Sequence, residues 1–314
     1  MSEENEAETE MKPKKPKIVV FGSLNVDHTM RVDTIPVAGE TVLSNGLLTC
    51  FGGKGANQAL AARRAGASVD LIGTVGVDDF GVAYRSSLAR EGVGVTGLGK
   101  AVAKPTGSAF AVVDSKGENL IVVNPGANYT LNEEGLEEHR KAIGKATVLL
   151  MQLECSMEAV TRAAEMARES EGETLIVINP SPWSGEFLKA KVPCDVLIVN
   201  EKEEEDLGGA AKLLKSAYAK KAGLKMVVVT AGAKATKLYT GAAKPLSITP
   251  PKVKAVDTVG AGDSFAGAFA VALAEGQNQR DSLKFANTAG ALATLKPGAQ
   301  SSIPMREEIE DQLG

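Results

Sequence analysis

The chain has 314 residues, enough to bury a full core in one large domain or in one domain with a small appendage. Its 35 basic and 39 acidic residues leave a formal net charge of −4, which argues against a dedicated nucleic-acid or anionic-membrane surface, and 4% aromatic residues offer little for stacking bases. Three scattered cysteines (Cys50, Cys155, Cys194) without a CxxC spacing suggest neither a zinc site nor a disulfide framework, two histidines exclude a histidine-rich metal site, and reduced thiols in a cytoplasmic protein are expected.

Residues 1–16 are acidic, then Lys/Pro-rich, with almost nothing apolar, and are expected to form a disordered tail. The basic run also fits a nuclear address, but it is short and broken by proline, so a solvated tail is the better reading. No apolar stretch is long enough to span a bilayer.

Residues 17–22 form a short apolar run closed by glycine, the pattern of a buried strand. The string Gly22-Ser23-Leu24-Asn25-Val26-Asp27 ends it, and Asn25 and Asp27 offer donors and acceptors suited to vicinal sugar hydroxyls. Residues 28–51 are Thr/Val-rich with Pro36 and Gly39 between, and contain no crossover helix. Next, Phe51-Gly52-Gly53-Lys54-Gly55-Ala56-Asn57-Gln58-Ala59 joins a strand to a helix over 56–66; its glycines permit close backbone approach, Asn57 can contact a polar ligand, and Lys54 reads either as an aid to that contact or as a solvated loop charge.

Strands are predicted over 69–73, 146–153, 174–179, 195–200 and 225–230, and helices over 80–92, 133–144, 157–170 and 203–223. This alternation predicts a parallel sheet with helices on both faces. Residues 108–124 read as a hairpin around Asp114-Ser115-Lys116-Gly117. With 28–51 they are expected to form a small separate sheet, a lid over the cleft. The GxGxxG string at 92–97 follows a helix and opens none, so it is not a dinucleotide fingerprint, and no P-loop is present.

Three strand ends carry further polar groups: Glu154, Asn200 with Glu203 three residues on, and Thr230-Ala231-Gly232-Ala233. Asn200 reads as a helix cap, with a role for Asn200 and Glu203 in placing the waters of Mg²⁺ as the alternative. Near the C-terminus, Val256-Asp257-Thr258-Val259-Gly260-Ala261-Gly262-Asp263-Ser264-Phe265 leads into an apolar helix, and a second helix starting at Arg280 carries Asn287. Gly260, Ala261 and Gly262 can wrap N–H groups around an anion at the positive end of the first of these helices. Asp263, in its first turn, can take a proton from an alcohol, and an anion site beside a base is what phosphoryl transfer to a hydroxyl requires.

Seven strings in order resemble the ribokinase (PfkB-type) sugar-kinase family over nearly the whole chain. They are Asn25-Val26-Asp27, Gly52-Gly53-Lys54-Gly55-Ala56-Asn57, Asn124-Pro125-Gly126-Ala127-Asn128, Gln152-Leu153-Glu154, the N-x-x-E of Asn200 and Glu203, Gly260-Ala261-Gly262-Asp263 and Gly298-Ala299-Gln300-Ser301-Ser302. The resemblance implies a ribokinase-like three-layer α/β sandwich over 17–314, with a β lid that pairs in homodimers. It implies ATP-dependent phosphorylation of D-ribose at O5, with Asp263 as the base and Gly260, Ala261 and Gly262 as the anion hole. Asn25, Val26, Asp27, Gly53, Lys54, Gly55, Asn57 and Glu154 fall on the sugar-binding set. Asn200, Thr230, Gly232, Ala233, Gly262 and Asn287 fall where the family holds ATP, with Glu203 near Mg²⁺. Asp257, Ser302 and the carbonyls of Val259, Ala293, Lys296 and Gly298 fall on its monovalent-cation (K⁺) site.

The family's usual glycine is Ala235 here, which would shift the nucleotide loop if that position needed a positive φ. A kinase of fructose, deoxyribose or a nucleoside, and a non-catalytic sugar or nucleotide sensor, are the other readings. The intact Asp263 and its flanking glycines weigh against the sensor.

Overall fold

A computed structural model describes residues 15–242 and 244–314 of the chain. Residues 1–14 of the expected tail lie outside the described residues. The strands are β1 (Lys17–Phe21), β2 (Asn25–Arg31), β3 (Gly46–Gly52), β4 (Ser68–Gly76), β5 (Leu98–Ala101), β6 (Gly107–Val113), β7 (Asn119–Asn124), β8 (Val148–Met151), β9 (Leu175–Ile178), β10 (Val196–Asn200), β11 (Met226–Thr230), β12 (Thr236–Tyr239) and β13 (Leu246–Ile248).

Nine of them form the main sheet in the order β13-β12-β11-β10-β9-β8-β1-β4-β5. All neighbours from β11 to β5 are parallel, and β12 and β13 close one edge antiparallel. The side chains of β1 show why the sheet is covered twice. Ile18 and Val20 face one core with the helices Lys54–Arg64, Ala261–Ala274 and Gln279–Leu292, while Val19 and Phe21 face a second core with the helix Met157–Glu169. A strand buried on both faces must be apolar along its buried length, as VLLM is throughout and KIVVF is after Lys17, which stands at the strand's amino end and pairs with Asp70.

From β1 the chain runs to β4 on one side, and β8 later fills the other side, so the order of strands reverses beside β1. Ligand sites of such sheets lie at the carboxyl ends of the strands at that reversal.

The expected separate sheet is present, with four strands in the order β3-β2-β6-β7. Its bounds differ from the expectation at one point. β1 stops at Phe21, and Asn25 and Asp27 are the first residues of β2, not a turn closing β1. The sheet is tied to the body by His28, which stacks on Phe110 at 4.9 Å and meets Phe80 of the helix Asp79–Arg90 edge-on at 5.6 Å.

Two predicted helices are broken. The region 133–144 forms Glu133–Glu137 and Arg140–Gly144; 203–223 forms Glu201–Asp206, Ala210–Leu213 and Ala217–Ala222, divided by Gly208 and Gly209 at φ of 77° and 96° and recapped by Ser216. β5, β12 and β13 were not expected. The three cysteines are free, and burial pushes their thiols up, so none is poised as a thiolate. No helix among the described residues is long and apolar enough to cross a membrane.

Candidate active site

The starts of the helices Lys54–Arg64, Glu201–Asp206 and Ala261–Ala274 converge on the carboxyl ends of β1, β8, β9, β10 and β11. The helix Ala261–Ala274 is apolar on every side and buried almost throughout, which fixes it against the sheet. A Cβ on Gly267 would lie 2.6 Å from Ala61 Cβ and 2.7 Å from the Gln58 carbonyl, so glycine there lets this helix close on the helix Lys54–Arg64. The approach brings the two N-terminal turns side by side.

Asp263 is 7% exposed at that junction. Asn57 Nδ2 donates to its Oδ2 at 2.9 Å, and Gln58 Nε2 donates to its Oδ1 at 3.0 Å. Both carboxylate oxygens are therefore held by neutral amides of consecutive residues. Asn57 in turn accepts from Gln300 Nε2 at 3.1 Å, and the same nitrogen lies 2.6 Å from the Tyr84 hydroxyl, which donates to the Gly52 carbonyl.

The start of the helix Lys54–Arg64 is packed backbone to backbone on the end of β1. A Cβ on Gly55 would sit 2.4 Å from Gly22 C and 2.5 Å from Ser23 N. Gly53 has φ of +86° and faces Asn25 N just as closely. Ser23 Oγ donates to Glu154 Oε2 at 2.5 Å, and the Lys54 N–H donates to the same oxygen at 3.2 Å. Asn25 Oδ1 accepts from Asn128 Nδ2 at 2.7 Å, and Asn128 Oδ1 accepts from the Leu24 N–H at 2.8 Å. The pleat of β2 puts Asn25 and Asp27 on one face and Val26, 1% exposed, on the other, so Val26 faces the core and its side chain is no part of the site.

Asp27, Glu154 and Asp263 face one another. Burial first, and then the charges of Glu154 and Asp263, push the Asp27 carboxyl up to about 7 from an ordinary 3.8. Between those pH values the folded chain binds the proton that the unfolded chain has released. The stability from this group is thus full below about pH 3.8 and lost as the pH rises to about 7. Asp27→Asn is expected to remove that part of the pH slope and to be more stable than the parent above neutral pH. Urea midpoints for the variant that keep the parent's slope between these limits would contradict it.

A cavity of about 240 Å³ adjoins Asp263; its walls include Lys54, Asn200, Glu203, Thr230, Gly260 and Gly262. Gly260 caps the helix at φ of +78°, and its backbone lies against Ala299. The N–H groups of Gly262 and Asp263 have no carbonyl one turn back inside the helix. The Ala261 N–H is turned to the Thr258 carbonyl at 3.3 Å, so of the expected anion hole Ala261 is the member already engaged.

Asn200 and Glu203 form a reciprocal capping box, with Glu203 N to Asn200 Oδ1 at 2.8 Å and Asn200 N to Glu203 Oε2 at 2.9 Å. This leaves Glu203 Oε1 free of that pair, a hard oxygen suited to the waters of Mg²⁺. Gly232, Ala233 and Asn287 do not line this cavity. Asn287 is occupied structurally, accepting from Thr236 Oγ1 at 2.6 Å and donating to the Ile248 carbonyl at 3.1 Å. Lys191 is the single non-glycine with positive φ among the described residues, so Ala235 carries no such strain.

Asp257 accepts from the N–H of Val259 at 3.0 Å and of Gly298 at 2.9 Å, tying together the two segments that carry the expected cation ligands. Ser302 is buried, and its Oγ lies 3.3 Å from the Ala299 carbonyl. Such a set of hard oxygens fits a monovalent cation. Sequence reading passed over Gln58, Gln152, Asn179, Ser23, Tyr84 and Gln300 as functional groups; only their partners, distant in the chain, give them a role. A larger open depression of about 780 Å³ beside Thr147, Ser170 and Lys145 holds none of the residues singled out from the sequence.

The profile of the pfkB family carbohydrate kinases matches residues 15–306. The chain belongs to this family. Among its pfkB-family relatives, the ribokinase of Haemophilus influenzae is 36% identical over 305 residues, covering 94% of this chain and 98% of that protein. The ribokinase of Schizosaccharomyces pombe is 37% identical over 313 residues, covering 93% and 96%. The structure of Arabidopsis thaliana ribokinase complexed with ribose and ATP superposes with a TM-score of 0.84 at 29% identity, covering 96% of this chain and 99% of that one. The pfkB-family fold expected from the sequence, a mostly parallel sandwich with a small second sheet, is the one observed.

Proposed function

We propose that the protein transfers the γ-phosphoryl group of ATP to O5 of D-ribose. The observation that carries this reading is the Asp263 carboxylate, held by two neutral amides at a helix start and opening on a cavity lined by anion-binding backbone. Asn25, Asp27, Asn57 and Glu154 bind the sugar hydroxyls, with the backbone of Gly53 and Gly55 close by. Asp263 accepts the O5 proton as O5 bonds to the γ-phosphorus; the bond to the bridging oxygen breaks and ADP leaves. The N–H groups at the start of the helix Ala261–Ala274 stabilise charge on the transferring group. Asn200 and Thr230 line the nucleotide side, with Gly232 and Ala233 just beyond the end of β11, while Asn287 acts indirectly by holding β12 and β13.

Glu203 would hold Mg²⁺ through water, and the ion supplies positive charge against the nucleotide phosphates. Asp257, Ser302 and the carbonyls of Val259, Ala293, Lys296 and Gly298 would hold K⁺ behind the anion hole. The test is ADP release on a panel of ribose, deoxyribose, fructose and nucleosides, in K⁺ and in Na⁺-only buffers. Ribose is expected to be the best acceptor and K⁺ to raise its rate. Equal rates in both buffers would remove the K⁺ assignment, and a better acceptor than ribose would replace the substrate.

The small sheet is the lid of this reading, and its outer face carries the dimer contact. On the face turned away from Asp27, Leu120 and Val122 of β7 and Leu47 of β3 are each about half or more exposed. Sedimentation that returns only monomer at micromolar concentration would count against the dimer. The three free thiols favour a cytoplasmic location in this reading.

A further inference from the structure

We propose that Gln58 is a positioning residue for the base: through a chain of buried amides anchored at Gln152, it fixes the rotation of the Asp263 carboxylate. This rests on the reading of Asp263 as proton acceptor. Gln58 and Gln152 are both 0% exposed. Gln152 Nε2 donates to Gln58 Oε1 at 2.6 Å; Gln58 Nε2 donates to Asp263 Oδ1 at 3.0 Å and to Asn179 Oδ1 at 3.2 Å. Asn179 is held in its turn by donating to the Ile198 carbonyl at 2.9 Å.

Three features make this chain more than packing. The donor at Gln152 sets which way the Gln58 amide faces, because the flipped amide would turn its oxygen on a carboxylate and its nitrogen on another donor. Gln152 Oε1 is buried with no partner, and a Cβ on Gly22 would lie 2.0 Å from it. A well-packed core has no use for an unpaired acceptor, and a methionine of similar volume would fill the space without one. All the links are neutral, so they orient the Asp263 charge without cancelling it or exchanging protons with it. Asn57, which holds the other oxygen, also bonds Gln300; Gln58, one residue on, reaches to the ends of β8 and β9, two inner strands of the main sheet. A carboxylate gripped on both oxygens cannot rotate away from the attacking hydroxyl.

The test is steady-state kinetics on the full chain with ribose and ATP, with thermal midpoints alongside. Gln58→Met is expected to lower kcat about ten- to a hundredfold, with both KM values within about twofold, because misplacement of a reacting group acts on the chemical step. Gln152→Met alone is expected to lower kcat severalfold. In Gln58→Met/Gln152→Met both ends of the buried bond become apolar, so the thermal midpoint should recover towards the parent while kcat stays low. In an Asp263→Asn background, Gln58→Met should cost no further activity.

Parent-like kcat in Gln58→Met, or kcat that returns together with the midpoint in the double variant, overturns the proposal. Should Gln58→Met not fold, the double variant and Gln152→Met decide alone, and parent-like kcat in either is against the relay. An active Asp263→Asn enzyme would overturn the base reading and this inference together. An inactive one beside an unimpaired Gln58→Met would overturn the inference only.

Discussion

Asp263→Asn is expected to lower kcat by about two to four orders of magnitude while ribose still binds. The asparagine side chain has nearly the same shape, so the helix start and the cavity stay as they are. What is lost is the ability to take up the O5 proton as the new bond forms, worth about 3–5 kcal/mol at the transition state. Asn25 and Glu154 keep their own partners and Asp27 is not bonded to Asp263, so the sugar contacts survive. One of the amides of Asn57 and Gln58 will meet the new NH₂ group in place of an acceptor, and a modest fall in thermal stability should accompany the loss. Single-turnover ADP release paired with calorimetric titration of ribose measures both parts. Turnover near that of the parent would show that the proton leaves by another route.

The second large effect is expected far from any reacting atom. Gly55→Ala should destabilise the fold by about 1–3 kcal/mol or more, and lower kcat as well. The new methyl group would meet Gly22 C at 2.4 Å, Ser23 N at 2.5 Å and Gly22 Cα at 2.7 Å, all backbone atoms of the β1 exit that cannot swing aside. The helix Lys54–Arg64 must then lift from the sheet, and Asn57 and Gln58 lift with it, away from Asp263. Urea denaturation reads the first part and ADP release the second. Gly185→Ala is the control, since a Cβ there meets nothing within 4 Å, and its stability should change by less than about 0.5 kcal/mol. A Gly55→Ala chain as stable and as active as the parent would mean that the two elements have room the distances deny.

Much of this arrangement is legible in the amino-acid sequence. The inner strands announced themselves because a parallel strand covered on both faces has to be apolar where it is buried, as in VLLM and the Val227–Val229 run of β11. The edge strands β12 and β13 did not, because TKLY and LSI are short and half polar, and the sheet alone gives them their form. Helices were over-extended where Gly208-Gly209 and Ser216 carried the stop and restart signals and the apolar spacing ran on regardless. In the site, Asp263, Asn57, Glu154 and Asn25 were found because each stands in a short, ordered string. Gln58 was in one of those strings and went unnoticed. Its partners lie 94 and 205 residues away, and no local pattern records a contact of that range.

The glycine seam between the helices Lys54–Arg64 and Ala261–Ala274 gives the chain a hidden dial. Gly267 stands one turn behind Asp263 and touches no ligand, yet the helix spacing it permits decides how far the acid reaches towards its two amide holders. Swapping it for a bulkier side chain would detune the enzyme from within. A screen restricted to residues that line the cleft would never find it.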